Sequence, residues 1–427
     1  MDTNSAARVV EGLRSALLAA GVLLAATLPA RAAAQEMALV HARVYAAPDS
    51  APLADATILI RGARIAAVGP GLAVPPSARI IDCAGASVTA GFQNSHVHFT
   101  LPQWAGAGDQ PAAKLQSQLA DMLTRYGFVT VVDLGSDPRS TFALRARIED
   151  GSVTGPRILS AGGALYPQDG IPYYLRNSLP AAVLPYLDQP ATPADAARIV
   201  ERDIAGGADL IKLFTGSLVE PSVVKPMRVE VAAAAVAAAH RHGRLVFTHP
   251  SNLEGIRIAV EAGVDVLAHT ASDGEPWNDA LIADLRRHDM AVVPTLKLWI
   301  YVLSLAGVPQ PRIDRVVDAA AGQLAAFVKA GGQVLFGTDV GYMTDFDPAD
   351  EYALMEGRAG LSPMQILASL TTAPAARFGE ADRRGRVAAG MDADLVVLDA
   401  DPGASAAAFT RVRTAIRAGR IIWSRPR

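Results

Sequence analysis

Cysteine is almost absent from this sequence, which holds a single one, Cys83, among 427 residues. A disulfide bond within the chain is therefore excluded, and we expect Cys83 to be a small buried apolar residue. A basic excess is also missing, because the formal net charge is −3, and this argues against a nucleic-acid partner. Neither a repeat of solenoid length nor a low-complexity linker divides the chain. The composition, with 51% hydrophobic residues, is that of an ordinary globular protein.

The amino-terminal residues have the pattern of an export signal. Arg8 and Arg14 precede the apolar run SALLAAGVLLAATL, and the following PARAAAQ offers small-residue cleavage sites ending at Ala32 or Ala34. The run is shorter than the roughly 20 residues that a membrane span needs. The sequence therefore predicts a signal peptide over residues 1–34 and an exported protein, periplasmic or secreted, with no membrane partner after cleavage. An uncleaved membrane anchor is the alternative.

Apolar, β-branched runs alternate with helix-favouring, alanine-rich segments along the middle of the chain. Such alternation predicts a parallel sheet that is covered on both faces. Eight units favour a closed (β/α)8 TIM barrel, an α/β fold whose functional groups lie at the carboxyl ends of the strands, and we place it at residues 89–384. The eight runs are SVTAGFQNSHVHF, FVTVVDLG, RILSAGG, ADLIKLFTG, RLVFTHP, VDVLAHT, AVVPTL and QVLFGTD.

The two flanks of this region have a different character. ALVHARVYAA and ATILIRGARIAAVGP on one side, and DADLVVLDA and VRTAIRAGRIIW on the other, look like short alternating strands joined by turns. We predict one small β-sandwich module that is built from residues 35–88 and 385–427 and packs against the barrel.

Two histidines, His96 and His98, stand one residue apart at the end of the first apolar run. In a strand, residues i and i+2 point to the same face, so both imidazoles would be directed at one place. A metal ion needs that arrangement, although two solvated surface histidines would also produce it.

Further polar residues follow or interrupt the other apolar runs. Taken singly, a histidine at a strand end can simply bond a loop carbonyl, and an aspartate can cap the next helix. Lys212 is harder to explain in this way, because Ile211, Leu213 and Phe214 surround it and a buried ammonium group is costly. Burial makes such an amine neutral and nucleophilic, and it can then capture carbon dioxide as a carbamate. The residues of this set are Lys212, His249, His269 and Asp339.

The combination resembles the binuclear-metal subtype of the amidohydrolase superfamily, most closely its imidazolonepropionase-like and prolidase-like branch. The resemblance runs from about Ala38 to the end of the chain. It is carried by HxH after the first strand, lysine on the fourth, histidines after the fifth and sixth, and aspartate after the eighth. Similar blocks are GFQNSHVHF, GADLIKLFTGS, HPSN, GVDVLAHT, FGTDVG and GRVAAGMDADLVVLDADP.

The resemblance implies how the residues divide the work. His96, His98 and Asp339 would hold the more buried of two divalent metal ions, and His249 and His269 the other. Carboxylated Lys212 would bridge the two ions together with a hydroxide. Zinc is the default metal for such ligands, and manganese, iron or cobalt are alternatives that the ligand types also allow. Asp339 would be the catalytic residue, accepting the proton of the hydroxide and passing it to the leaving nitrogen.

These roles imply a metal-dependent amidohydrolase that cleaves a C–N bond in a small amide, dipeptide or lactam-like substrate. An esterase or lactonase, or a phosphotriesterase, on the same metal pair is the first alternative. A mononuclear deaminase, which would not need Lys212, and a noncatalytic binding protein are others. Relatives are often oligomeric, so a homo-oligomer is expected.

The substrate pocket is the least determined part of the sequence. Loop aromatics would suit an apolar or aromatic substrate, although packing explains each of them equally well. Met227 stands near the place where prolidase-like relatives often carry a tyrosine, and this puts a simple dipeptidase role in doubt. Lys225 or Arg228 could serve instead. The remaining histidines, His41, His240, His242 and His288, are expected to be structural or exposed. The loop aromatics are Trp104, Tyr166, Tyr173, Tyr174, Trp277, Trp299 and Tyr301.

Overall fold

A computed structural model describes residues 36–179, 181–271, 274 and 276–426 of the chain. The predicted signal peptide, residues 1–34, lies outside the described residues. Within them, none of the helices has both the length and the apolar character that crossing a membrane requires.

The described residues fold into β-strands and α-helices. The strands are β1 (Glu36–Val44), β2 (Leu53–Arg61), β3 (Arg64–Pro70), β4 (Arg79–Asp82), β5 (Ser87–Ala90), β6 (Phe92–Val97), β7 (Phe128–Asp133), β8 (Arg157–Ser160), β9 (Ala164–Leu165), β10 (Ile211–Phe214), β11 (Gly216–Glu220), β12 (Val223–Pro226), β13 (Val246–His249), β14 (Val266–Ala268), β15 (Ala291–Val293), β16 (Gln333–Val334), β17 (Leu395–Leu398), β18 (Val412–Arg417) and β19 (Arg420–Ser424). The α-helices are α1 (Ala112–Met122), α2 (Pro138–Glu149), α3 (Tyr173–Ser178), α4 (Pro193–Ala205), α5 (Val229–Arg241), α6 (Leu253–Ala262), α7 (Asp279–Arg287), α8 (Leu296–Leu305), α9 (Gln310–Lys329), α10 (Ala349–Gly357), α11 (Pro363–Leu370) and α12 (Thr372–Arg377).

The two flanks of the chain meet in one sheet, as the sequence predicts. Its strand order is β19-β18-β17-β5-β1-β2-β3, with β4 paired to β1. The β5 strand pairs with both β1 and β17, so it joins the two flanks and runs past the predicted boundary at residue 88. Alternating apolar residues of these strands form a separate small core, in which Cys83 is fully buried. The prediction of a sheet module from both flanks is therefore confirmed.

The middle of the chain contains parallel strands covered by helices. Each of the eight apolar runs contains a strand: β6, β7 and β8 pair in one sheet, and β10, β13, β14, β15 and β16 pair with the short β9 in another. All pairs in these two sheets are parallel. The strands are buried along almost their whole length, which is why the sequence shows near-continuous apolar runs there. The β11–β12 hairpin is an addition that the sequence does not predict.

Hydrogen bonds connect the two parallel sheets at both of their edges. Ser95 N donates to Phe336 O at 2.7 Å, and His98 N donates to Val340 O at 2.8 Å, so β6 lies beside the segment that follows β16. On the other side, Asp209 N donates to Ser160 O at 2.8 Å and links β8 to the start of β10. The carboxyl ends of the first and last predicted strands are therefore neighbours.

Candidate metal centre

The six predicted ligand residues all lie in strands of the parallel sheets or within five residues after them. Four of these residues are buried, and His98 and His249 are partly exposed. Parallel strands present their carboxyl ends at one edge, so residues far apart in sequence come together there. The residues are His96 in β6, His98 just after it, Lys212 in β10, His249 at the end of β13, His269 after β14 and Asp339 after β16.

The Asp339 carboxylate is the centre of the closest group. Its Oδ1 lies 3.0 Å from His98 Nε2 and 3.2 Å from His96 Nε2, and the two Nε2 atoms are themselves 3.2 Å apart. Ligand atoms of His96, His269 and Asp339 all lie within 4.8 Å of one another. Three potential ligand atoms are therefore directed at one small volume.

The other histidines adjoin this group. His269 Nε2 lies 3.9 Å from Asp339 Oδ2, and the ring centroid of His269 is 4.6 Å from that of His249. His249 in turn stacks on Phe214 at 4.8 Å, with 19° between the two ring planes. The four histidines thus form a continuous cluster, with Asp339 between its two halves.

Lys212 lies in the same environment. Its side chain is 1% exposed, and its Nζ lies 5.5 Å from the centroid of the Phe214 ring. Burial lowers the pKa of Lys212 to about 7, against a smaller opposing effect of Asp339. The Lys212 charge also lowers the pKa of His249 and His269, so the amine is within electrostatic reach of both.

Hydrogen bonds to the far ring nitrogens determine which tautomer two of the histidines adopt. His98 Nδ1 lies 2.8 Å from the Gly135 carbonyl oxygen, which can only accept, so Nδ1 carries the proton. His269 Nδ1 lies 2.6 Å from Thr295 Oγ1, and that hydroxyl donates to Pro294 O. In their neutral forms both histidines therefore direct an Nε2 lone pair towards Asp339, as metal-ligating histidines do.

The charges in the cluster favour a bound cation. Burial, followed by the positive neighbours, lowers the pKa of His96, His249 and His269 well below the ordinary value, so these rings are neutral. The pKa of His98 is also lowered by burial, but the Asp339 and Asp133 carboxylates raise it by more. Asp339 Oδ1 and His96 Nδ1 make no hydrogen bond of good geometry within the described residues. Lone pairs that face one another across about 3 Å need a proton or a cation between them, so these residues fit divalent metal ions.

Two of the predicted ligands have unusual backbone conformations. His269 has φ of 93° and Asp339 has φ of 60°, in the left-handed region that non-glycine residues seldom occupy. Strain of this kind costs about 1–3 kcal/mol per residue and persists only where the surroundings enforce it. The fold therefore holds these two side chains in directions that an unstrained backbone would not give them.

Three residues around the cluster were not found from the sequence. Asp133, at the end of β7, is fully buried and accepts hydrogen bonds from Ser136 Oγ at 2.5 Å and Ser160 Oγ at 2.8 Å. A polar residue that ends an apolar strand was the available signal for it. The other two are Thr295, which bonds His269, and Glu351, which accepts from the backbone just after Thr295. Only these tertiary contacts distinguish them from ordinary loop and helix residues.

The aromatic candidates divide into three groups. Trp104 and Trp277 belong to the hydrophobic core, where they pack edge to face against Phe99 and Phe327. Tyr173, Tyr174 and Tyr301 instead form a chain near Asp339 together with Tyr342, which the sequence analysis did not single out. In this chain the ring centroids of Tyr173 and Tyr174 are 5.7 Å apart, those of Tyr174 and Tyr342 5.3 Å, and those of Tyr301 and Tyr342 6.5 Å.

Trp299 and Tyr166 pack against histidines of the cluster or their neighbours. The Trp299 ring lies 6.1 Å from that of His269, and its indole nitrogen donates to Thr270 Oγ1 at 3.0 Å. Tyr166 packs on Phe214 at 4.7 Å. Both residues are buried, so their rings pack around the cluster and are not open to solvent.

Lys225 and Arg228 line a surface cavity of about 230 Å³ together with Asp169 and Met227. Lys225 Nζ lies 3.9 Å from Asp169 Oδ2, and Arg228 donates to the carbonyl oxygen of Ala191. Both cations thus have local partners.

The other four histidines are exposed, as the sequence predicts. His41, His240 and His242 lie beside carboxylates, and His288 bonds Asp284 O.

Comparison with known proteins identifies relatives of this chain in sequence and in structure. Imidazolonepropionase from Salinispora tropica is 24% identical over 374 residues, which are 81% of this chain and 86% of that protein. Ochratoxinase from Aspergillus niger is 25% identical over 280 residues, and the match spans 60% of this chain but only 57% of the ochratoxinase length. A Bifidobacterium longum protein assigned as a prolidase has a structure that matches with a TM-score of 0.77 and 26% identity, covering 92% of this chain and 95% of the other.

These relatives agree with the resemblance to imidazolonepropionase and prolidase that the sequence blocks indicate. The α/β fold with its additional sheet module is shared with the solved structures. The model of the amidohydrolase family matches residues 87–422, which include all six predicted ligands. The chain therefore belongs to the amidohydrolase family.

Proposed function

We propose that this protein is a metal-dependent amidohydrolase that cleaves a carbon–nitrogen bond, in an amide, a peptide or a cyclic amide, of a small molecule. The observation that carries the proposal is the meeting of the Asp339 carboxylate with His96 Nε2 and His98 Nε2 at 3.2 and 3.0 Å. Family membership and the reactions named for imidazolonepropionase and ochratoxinase support the same class of reaction.

The residues of the cluster would hold two divalent ions, with zinc as the expected metal. His96, His98 and Asp339 would bind one ion, and His249 and His269 the other. Such ions polarise a substrate carbonyl and lower the pKa of water towards neutrality. The directed Nε2 lone pairs of His98 and His269 support this assignment.

Lys212 would bridge the two sites as a carbamate. The neutral amine attacks the carbon of carbon dioxide and then loses a proton, which leaves an N-carboxylate with two oxygen ligands. Burial of the Lys212 side chain and its pKa of about 7 support this proposal, because a substantial fraction of the amine is neutral at neutral pH.

Asp339 would act as the proton carrier. Its Oδ1 makes no hydrogen bond of good geometry within the described residues, so a lone pair is available at the reacting position. The carboxylate would accept a proton from the attacking water and donate it to the leaving nitrogen, which then departs as an amine. The strained backbone of Asp339 fixes the direction of this carboxylate.

The substrate would carry an apolar or aromatic group. The tyrosine chain of Tyr173, Tyr174, Tyr342 and Tyr301 supports this, because its rings offer both apolar faces and hydroxyl groups. Tyr174 and Tyr342 in this chain are within electrostatic reach of Asp339. Burial and the Asp339 charge both raise the pKa of Tyr342 above the ordinary value, so its hydroxyl stays protonated and can donate.

We also propose that the two parallel sheets close into one (β/α)8 barrel and that the terminal strands form a β-sandwich. The hydrogen bonds from Ser95 to Phe336 and from Asp209 to Ser160 support closure at both edges. Export through cleavage of residues 1–34 and assembly into a homo-oligomer are further proposals. Amino-terminal sequencing of the mature protein and sedimentation analysis would test them.

The proposed activity is tested by screening the zinc-loaded protein against N-acyl amino acids, dipeptides, lactams and aryl amides, with amine release as the readout. Asp339→Asn should lose amine release by several orders of magnitude. Asp382→Asn, which changes an exposed aspartate, is the matched control and should retain wild-type activity. Equal activity of the Asp339→Asn variant and the wild type would remove Asp339 from the mechanism. Hydrolysis of esters, lactones or phosphotriesters without any amine release would favour the alternative reaction.

A further inference from the structure

The hydroxyl group of Thr295 connects His269 to the end of the neighbouring strand β15. Thr295 Oγ1 uses its single proton to donate to Pro294 O at 2.8 Å, so it can only accept from His269 Nδ1, at 2.6 Å. The backbone nitrogen of His269 also donates to Val293 O at 2.8 Å. Residues 293–295 therefore hold His269 both at its main chain and at its ring.

Thr295 itself is held in a conformation that a threonine rarely adopts. Its φ of 46° and ψ of 51° lie in the left-handed region, which is unfavourable for a β-branched residue. Thr295 precedes the first turn of α8, and its side chain does not cap that helix. Because the hydroxyl bonds His269 instead, another group has to satisfy the free N–H groups of α8.

Glu351, in α10, supplies that group from a distant part of the chain. Its side chain is buried, and its Oε1 and Oε2 accept from Leu296 N at 2.9 Å and from Lys297 N at 2.7 Å. A carboxylate at this position satisfies two N–H groups of the first helical turn and complements the positive end of the helix dipole. It also fixes the two residues that directly follow Thr295, and this restricts the strained threonine to one conformation.

Lys297 extends the connection to the segment after Asp339. Its Nζ donates to Asp347 O at 2.6 Å and lies 2.7 Å from Asp345 Oδ2. The Lys297 side chain is almost fully buried. The start of α8 is thus linked to the segment between Asp339 and α10 by a hydrogen bond and an ion pair.

We propose that Thr295 and Glu351 are positioning residues that hold the His269 imidazole in its Nδ1–H form and direct its Nε2 towards the second metal site. The inference rests on the proposed function in taking His269 as a metal ligand. Neither residue would touch substrate: Thr295 acts on the ring of His269, and Glu351 acts on the backbone that carries Thr295.

The first test compares Thr295→Val, which keeps the shape of the side chain but removes the hydroxyl, with Thr295→Ser, which keeps the hydroxyl. Zinc affinity is measured by competition with a chromophoric chelator. Thr295→Val should bind the second ion about 10- to 100-fold more weakly, as is usual when a partner of a ligating histidine is removed. Thr295→Ser should restore binding close to that of the wild type. Thr141→Val is the matched control, because Thr141 is buried and its hydroxyl has no hydrogen-bond partner within the described residues.

Glu351→Gln is the second variant, because Leu296 N and Lys297 N donate to separate Glu351 oxygens and an amide replaces one of these oxygens by an NH2 donor. This variant should also bind the second zinc ion more weakly, while its affinity for the first zinc ion stays unchanged. Glu356→Gln is its matched control, since Glu356 lies on the same helix and accepts from the backbone nitrogen of Ala406, which lies between β17 and β18. This control should bind both ions as the wild type does.

A readout in the metal-free protein separates this inference from the proposed function. Nitrogen chemical shifts of 15N-labelled histidine should show His269 as the Nδ1–H tautomer in the wild type and in Thr295→Ser, and as a mixture in Thr295→Val. A wild-type protein that binds no zinc would count against the proposed function, but the tautomer comparison would still decide the role of Thr295. Wild-type zinc affinity together with an unchanged tautomer in Thr295→Val would overturn the inference, even if the variant were less stable.

Discussion

The α-carbon of Gly341 lies so close to the His98 carbonyl that a Cβ atom added to it would be 1.8 Å from the His98 oxygen. Gly341 also has φ of 98°, which L side chains rarely adopt. The segment that carries Asp339 therefore packs directly on the backbone of the HxH pair. Only glycine permits this contact, which brings the segment of Asp339 close to His96 and His98.

Gly341→Ala should accordingly be severely destabilising. The new methyl group would have to displace the His98 backbone, and we expect a loss of about 3 kcal/mol or more in the free energy of unfolding. Urea denaturation followed by circular dichroism measures it. Gly360→Ala is the control, because Gly360 has φ of 70° but no atom within 4 Å of the added Cβ, so only the conformational cost of about 1 kcal/mol applies. Equal losses in the two variants would contradict the close packing of Gly341 as the cause.

A buried ion cluster near the start of the carboxyl-terminal flank makes a second prediction. Arg384 lies 2.9 Å from Asp392 and 3.5 Å from Glu380, and it also pairs with Asp394, which is largely buried. Arg384→Met should lower the free energy of unfolding by about 3–5 kcal/mol, because it leaves the buried Asp394 carboxylate without the cation that pairs with it. Asp392 keeps its pairs with Arg64 and Arg383, and Glu380 keeps its pair with Arg157.

Arg198→Met provides the comparison for Arg384. Arg198 pairs with Asp195 at 3.3 Å, but the Arg198 side chain is largely exposed, so its loss should change the free energy of unfolding by less than about 1 kcal/mol. Both values come from the same urea titration. A small effect at Arg384 would mean that solvent screens the cluster as it does a surface pair.

Glu351 should give the stability of the protein a defined pH dependence. Burial raises the pKa of Glu351 to about 7 in the folded state, from an ordinary value of 4.5, although its bonds to Lys297 N and Leu296 N oppose this. A raised carboxyl pKa means that the folded state binds the proton more tightly than the unfolded state does. The contribution of this tighter proton binding to the stability of the folded state is therefore fully present below pH 4.5, and it is lost as pH rises through 7.

The measurement is the free energy of unfolding of wild type and Glu351→Gln between about pH 4.5 and 8. The wild-type value should fall relative to that of the variant by up to about 3 kcal/mol across this interval. Using the difference between the two proteins removes the contributions of all other titrating groups. A constant difference over the whole range would show that the Glu351 pKa is not raised.

Lys212 should make metal loading depend on carbon dioxide and on pH. Only the neutral amine forms a carbamate, and burial lowers the pKa of Lys212 to about 7. At a fixed concentration of dissolved carbon dioxide, the rate at which metal-free protein recovers activity with zinc should rise with pH and level off above about 8. Removal of carbon dioxide should slow recovery strongly. A rate that is indifferent to carbon dioxide would exclude the carbamate and favour an unmodified lysine.

The parallel strands could be predicted from the sequence because each one is buried on both faces and therefore appears as an apolar run. The six candidate ligands were visible as polar side chains within or after such runs, and the resemblance to the amidohydrolase superfamily selected them. The pattern alone was not sufficient, because Asp133 ends an apolar run in the same way and was missed. The supporting residues could not be predicted. Thr295 depends on a left-handed backbone, and Glu351 depends on N–H groups more than fifty positions away in sequence, so neither leaves a local pattern. The tyrosine chain depends in the same way on loops that meet only in the folded protein.

Anomalous diffraction at the zinc edge, from crystals of the zinc-loaded protein, is the decisive measurement for the binuclear centre. We expect two peaks: one bounded by His96, His98 and Asp339, the other by His249 and His269, with density for a carboxylated Lys212 between them. A single peak with an unmodified lysine would contradict the binuclear site, and the absence of any peak among these residues would contradict the metal centre itself.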